Sequence, residues 1–170
     1  MLQALTIKNF ALIESLEINF SNGLSVITGE TGSGKSILLD ALGLVLGARA
    51  DLNSLKDKES KCVVEAVFKI SDYQLESLFL ENDIDFEAET TIRREILPNG
   101  KSRAFVNDTP ATLSVLSELA AFLIDVHSQH QTRSISETAF QFEVLDTLAK
   151  NQNDLQEYTQ TLKQYKAHVF

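Results

Sequence analysis

Eight consecutive residues, Gly29-Glu30-Thr31-Gly32-Ser33-Gly34-Lys35-Ser36, constrain the fold of this chain more than any other stretch. They fit the pattern of a glycine, four free positions, then Gly-Lys-Ser/Thr, whose backbone N–H groups cradle phosphates. Lys35 is suited to reach β- and γ-phosphate oxygens, and the Ser36 hydroxyl to ligate a Mg²⁺ ion bridging them. A helix beginning at the loop adds the positive end of its dipole. Such a loop needs a buried strand before it and a helix behind it. Leu24-Ser25-Val26-Ile27-Thr28 is a short β-branched run after the turn Ser21-Asn22-Gly23, and Ile37 to Leu46 is a mostly apolar helical segment ending at Gly47.

Composition narrows the class. The 170 residues can bury one sizeable core, and an apolar fraction of 44% is ordinary for a globular chain. The single Cys62 excludes an internal disulfide and reads as a small buried hydrophobe in a strand. The first ten residues lack a signal peptide's basic start, and no apolar run reaches the roughly 20 residues that span a bilayer. A cytoplasmic protein is expected. A net charge of −9 repels nucleic acid on average, so any DNA contact must come from a local basic patch or from another part of the protein.

Leu5 to Phe10 and Ile13 to Phe20 alternate as two half-buried antiparallel strands. After the first helix, Arg49 and Lys56 lie in a loop, either touching nucleotide phosphate or a partner subunit or simply solvated. Lys61 to Ile70 reads as a strand. Ser71 and Gln74 form a possible capping box for a helix from Asp72 to about Glu81. Thr91 to Leu97 and Lys101 to Val106 flank Pro98-Asn99-Gly100 as a hairpin. With Asn99 and Gly100 as its loop, Arg94 faces Phe105 and Ile96 faces Arg103. The cluster of Arg93, Arg94, Lys101 and Arg103 reads as edge-strand solubility or, more sharply, as a nucleotide-base or DNA contact. Asp108 or Thr109 then caps a helix with Pro110 at its first position, running to Ala121. Phe122 to His127 reads as a core strand delivering Ser128-Gln129-His130-Gln131 to its C-terminal end. His127 and His130 alone make a poor zinc site. Toward the end Leu148, Leu155, Leu162 and Val169 repeat every seven residues, with Tyr158 and Tyr165 between, as in the start of a coiled coil or an amphipathic surface helix.

With Leu5 to Glu14, Thr28 to Ser36, Leu46 to Asp51 and Ile124 to His130 in view, the chain resembles the N-terminal segment of the RecN family of bacterial DNA-repair proteins, relatives of the SMC proteins. The resemblance implies an α/β P-loop NTPase: the N-terminal lobe of an ABC-type ATPase head with a mixed sheet over residues 1–147, then the beginning of a coiled-coil arm over 148–170. It implies ATP and Mg²⁺ as cofactors, held by Gly29, Glu30, Thr31, Gly32, Ser33, Gly34, Lys35 and Ser36, with Gln129 as a Q-loop glutamine that helps hold the metal and position the attacking water. A neutral amide oxygen suits a hard cation beside a highly charged nucleotide. Lysine at position 56, where such heads often carry arginine, loses bidentate phosphate geometry.

The chain has no Leu-Ser-Gly-Gly signature and no apolar run ending in Asp-Glu. In the family these lie after the coil, so the resemblance implies half of a nucleotide site, ATPase activity in the full-length protein, and little or none in the fragment. Its implied partners are the C-terminal lobe of the same protein, a second head in a homodimer, and DNA through the full-length protein, in the cytoplasm at the nucleoid. Two other readings stay open: a small P-loop kinase with Asp125 as the Mg²⁺-associated acid, and a nucleotide-gated structural DNA clamp.

Overall fold

The computed structural model describes residues 1–30, 34–126 and 138–169, which fall into two compact units, Met1–Asp125 and Val126–Phe170. The first is built on six antiparallel strands: β1 (Leu2–Phe10), β2 (Ile13–Asn19), β3 (Cys62–Lys69), β4 (Glu89–Ile96), β5 (Ser102–Val106) and β6 (Thr109–Ala111). They lie in the order β2-β1-β3-β4-β5-β6. Helix α1 (Lys35–Val45) packs against β1, β3 and β4, while α2 (Glu76–Glu81) and α3 (Leu113–Leu123) follow β3 and β6 in the chain.

Strict alternation writes one face of this sheet. Ile7, Val64, Arg94, Ala104 and Ala111 form one row across five strands, and Leu5, Ala66, Ile92 and Val106 form the next. Nearly all of these side chains are fully buried, with Phe68, Cys62 and Ile96 in the same face. Period-two apolar patterning predicts this arrangement. It also places one charged residue, Arg94, in an otherwise apolar row.

Turn chemistry sets the registers and corrects two expectations. In the β4–β5 hairpin the Gly100 N–H donates to Leu97 O (2.9 Å) and Leu97 N–H to Lys101 O (2.8 Å). Pro98 and Asn99 are thus the turn's centre, and Gly100 takes the left-handed position at φ 84°. This three-residue loop slips the pairing by one, so Arg93 faces Phe105 and Arg94 faces Ala104. Residues 107 and 108, expected near a helix start, form a two-residue turn with both φ values positive (48° and 63°) between β5 and β6. Pro110 therefore sits in an edge strand, where its missing N–H is tolerated. The cap of α3 is Thr112, whose hydroxyl accepts from the Val115 N–H at 3.3 Å. No capping box forms at Ser71 and Gln74 either, because Gln74 is left-handed (φ 53°) and α2 begins only at Glu76.

Two expected strands do not form. Residues 20–30 carry no ladder, and Leu24, Val26 and Ile27 are 92%, 71% and 50% exposed. Phe122 and Leu123 belong to the end of α3, Phe122 is exposed, and residues 124–126 are irregular. A strand exists only when a neighbour accepts and donates its backbone hydrogen bonds. The six paired strands leave neither segment such a neighbour.

The second unit contains α4 (Thr138–Ala149) and α5 (Gln152–Val169). Lys150, left-handed at φ 56°, ends α4: its N–H donates to Thr147 O, and the Asn151 N–H to Asp146 O. The heptad run is thus interrupted between Leu148 and Leu155, and α5 alone carries Leu155, Tyr158, Leu162 and Tyr165. Leu155, Tyr158 and Tyr165 are exposed along it. No helix among the described residues is long and apolar enough to cross a membrane.

Candidate functional site

Of the two flanks the motif requires, the helix after the loop is present from Lys35, and the strand before it is not. Gly34 is left-handed at the cap of α1, and Lys35 and Ser36 form the helix's first turn. That turn contains no acidic residue and no side chain caps it, so the helix end and its dipole favour an anion. The Lys35 ammonium donates to the carbonyl oxygens of Gly29 and of Glu30, the latter at 2.7 Å. It is thereby held over the phosphate loop's own backbone. A phosphate suits a helix start that has an ammonium beside it.

A cavity of about 400 Å³ opens beside the loop, lined by Ile27, Thr28, Gly29, Gly34 and Lys35 with Leu12 and Leu16. The last two come from the β1–β2 hairpin and were not expected at the site. A sequence signal existed for Leu12 alone, a large apolar residue at the turn between two expected strands; it is 75% exposed. Thr31, Gly32, Ser33, Gln129, His127 and His130 lie outside the described residues. Asp125, the acid required by a small P-loop kinase, is not among the cavity's described lining.

The cations read as possible contacts have other settings. Lys56 pairs with Glu14 at 3.2 Å across the surface. Arg93 lies 4.7 Å over the Phe105 ring and pairs with Asp108 at 3.0 Å. Arg94 is 2% exposed on a strand with neighbours on both sides, which overturns the edge-strand reading for it. Burial lowers the pKa of its guanidinium. The loop bearing Lys56 is fixed by Asn9, whose amide donates to Asp57 O and Ser60 O and whose carbonyl accepts from the Asp57 N–H.

Comparison with known proteins identifies the family of this chain. The model of the AAA domain family matches residues 4–168. The chain is 43% identical over 150 residues to the DNA repair protein RecN of Vibrio cholerae, covering 88% of this chain and 27% of that protein. It is 36% identical to RecN of Bacillus subtilis over 177 residues, covering 98% and 31%. The chain thus spans under a third of the length of the curated relatives it matches. The Smc head domain of Pyrococcus furiosus, solved with an extended coiled coil and a bound ScpA domain, shares the fold. Its TM-score is 0.68 at 22% identity, over 99% of this chain and 47% of that one. A solved SMC ATPase described for ATP-driven dimerization and DNA-stimulated activation superimposes with TM-score 0.59 at 26% identity, over 85% of this chain and 96% of that one. The phosphate loop, the helix it opens and the antiparallel sheet in front of it all fall inside the matched span, and the chain belongs to the AAA-domain family.

Proposed function

We propose that this chain is the ATP-binding lobe of an SMC-like DNA-repair ATPase, completed by a C-terminal lobe of the same protein and working as a dimer of heads. The observation that carries it is the Lys35 ammonium held at the opening of α1 beside an accessible cavity. The likeness to RecN proteins supports the DNA-repair role. In this reading Gly29, Glu30, Thr31, Gly32, Ser33 and Gly34 wrap the triphosphate with backbone N–H groups. Lys35 neutralises charge developing on the γ-phosphate, while Ser36 and Gln129 hold Mg²⁺. The metal, when bound, supplies further neutralisation of the bridging phosphate oxygens. Within residues 148–170, expected as the beginning of a coiled-coil arm, α5 (Gln152–Val169) is the segment that begins it, with Leu155, Tyr158, Leu162 and Tyr165 as its apolar seam.

Hydrolysis by in-line attack of water needs an acid beside the metal and a signature motif across the dimer, and neither motif occurs in this sequence. The isolated chain should therefore bind ATP weakly and turn it over hardly at all. Calorimetric titration with ATP·Mg²⁺ should give binding that Lys35→Ala abolishes. Phosphate release should rise by orders of magnitude when the C-terminal lobe is supplied. Vigorous turnover by the chain alone would sink the proposal.

A further inference from the structure

The turn between β1 and β2 is tied down more heavily than a hairpin connection needs. Tight turns ordinarily take Gly, Asn, Asp or Ser, whereas this one has Ala11 and Leu12 at its centre. Ala11 is left-handed at φ 49°, and Asn9 at φ 54°. Asparagine tolerates that region readily, but alanine stays there only where surrounding bonds over-determine it.

Those bonds come from the loop after α1. The Ala11 N–H donates to Ser54 O at 2.6 Å, and Phe10 bridges Leu55. Lys56 pairs with Glu14 at 3.2 Å. Asn9 pins the loop in turn: its amide donates to Asp57 O and to Ser60 O, each at 2.9 Å, and its carbonyl oxygen accepts from the Asp57 N–H at 2.7 Å. One side chain thus joins the end of β1 to residues 57–60, and residues 54–56 hold the turn.

The same turn forms part of the cavity beside the phosphate loop. Leu12, Ile13 and Leu16 line it with Ile27, and so do Gly29, Gly34 and Lys35. One space of about 400 Å³ therefore joins an ammonium and a helix start to several apolar side chains. That lining suits a ligand with a phosphate group on a flat, weakly polar body. Leu12, 75% exposed, has most of its surface available for contact. Asn9 is not among the described lining residues, so its influence on a ligand runs through the turn.

We infer that Leu12 covers the base and sugar of the bound nucleotide, and that Asn9 is the positioning residue that holds Leu12 in place through the 54–60 loop. Resting on the ATP-binding reading of this cavity, the assignment gives the antiparallel sheet a direct part in nucleotide affinity. A turn already fixed in its bound position does not have to be ordered when the ligand arrives.

The test uses the full chain with Mg²⁺, titrated calorimetrically with ATP and separately with tripolyphosphate, which keeps the phosphates and lacks base and sugar. Both should bind the wild-type chain, and Lys35→Ala should abolish both. Leu12→Ser, at an exposed turn position, should weaken ATP about fivefold and leave tripolyphosphate within about twofold. Asn9→Gly keeps left-handed backbone accessible and removes only the amide, and should weaken ATP by a similar factor while sparing tripolyphosphate. Asn9→Asp, which loses both donated bonds but keeps the acceptor, replaces it with the same expected outcome if Asn9→Gly does not fold. Because Asn9 acts through Leu12, the double variant should bind ATP within about twofold of Leu12→Ser alone.

Two results would overturn the inference and leave Lys35-dependent ATP binding standing. One is a Leu12→Ser variant that binds ATP normally or loses both ligands equally. The other is an Asn9 variant that lowers only the melting temperature, or whose loss of ATP affinity adds to that of Leu12→Ser. A wild-type chain that binds neither ligand would overturn both the inference and the ATP-binding reading.

Discussion

At Cys62 and Arg94 the same alternation of β strands places two very different side chains in one buried face. The thiol behaves as its size suggests. Burial pushes its pKa from 9.0 up to about 11, because the thiolate cannot be solvated there. The protonated form is the neutral one, so an unfolded chain gives up this proton before the folded chain does. The contribution to stability is whole below about pH 9, falls as pH rises toward about 11, and levels off beyond. The fall amounts to roughly 2 to 3 kcal/mol. The unfolding free energy from urea titration should fall between pH 8 and pH 11 by about that amount more in the wild-type chain than in Cys62→Ala, and an equal change in both would refute the assignment. Cys62 was legible in the sequence because its strand alternates cleanly. Arg94 was equally legible in principle, since Thr90, Ile92, Arg94 and Ile96 share one parity. The adjacent Arg93 disguised it: a pair of arginines reads as a surface, whereas one faces Phe105 and the other the core.

Among the elements, the regular patterns were readable and the turns were not. Strands β1 to β5 and helix α1 follow from period-two and helical patterning, which depends only on which face is buried. The 107–108 turn was missed because Asp-Thr-Pro also spells a helix start, and only pairing with β5 decides between them. The Leu24–Thr28 strand was expected from its residues alone, but a strand is a property of two segments. Packing between helices follows a stricter rule at Gly47. Its backbone is left-handed (φ 96°), and a Cβ there would collide with the Ser117 hydroxyl and come within 3.2 Å of Leu113 O on α3. Gly47→Ala should therefore destabilise the chain by roughly 1 to 3 kcal/mol, combining backbone strain with displacement of α3. Chemical denaturation measures this. A loss below about 0.5 kcal/mol would mean that α1 and α3 do not abut through this glycine.

On the scale of the whole molecule, part of the exposed apolar surface lies in two segments that the sequence marks as strands and the sheet does not pair. Leu24, Val26 and Ile27 are exposed immediately before the phosphate loop, and Phe122 is exposed at the end of α3. An exposed apolar run with unpaired backbone groups is unfavourable in water and a template for another strand. If a C-terminal lobe completes the sheet, Leu24 to Thr28 should convert from unpaired chain into a strand with hydrogen-bonded neighbours. Hydrogen exchange reads that conversion directly, because ladder amides open only with the structure that holds them. In the isolated chain the amides of residues 24–28 should exchange within seconds at neutral pH, while those of β1 and β3 are protected. With the C-terminal lobe supplied, protection at 24–28 should rise at least about a hundredfold, to the range of β3. The same change should appear in a Lys35→Ala background without nucleotide, since the ladder is formed by backbone and not by ATP. Protection that appears only with ATP would make pairing a consequence of nucleotide binding, and protection already present in the isolated chain would remove the need for a second lobe.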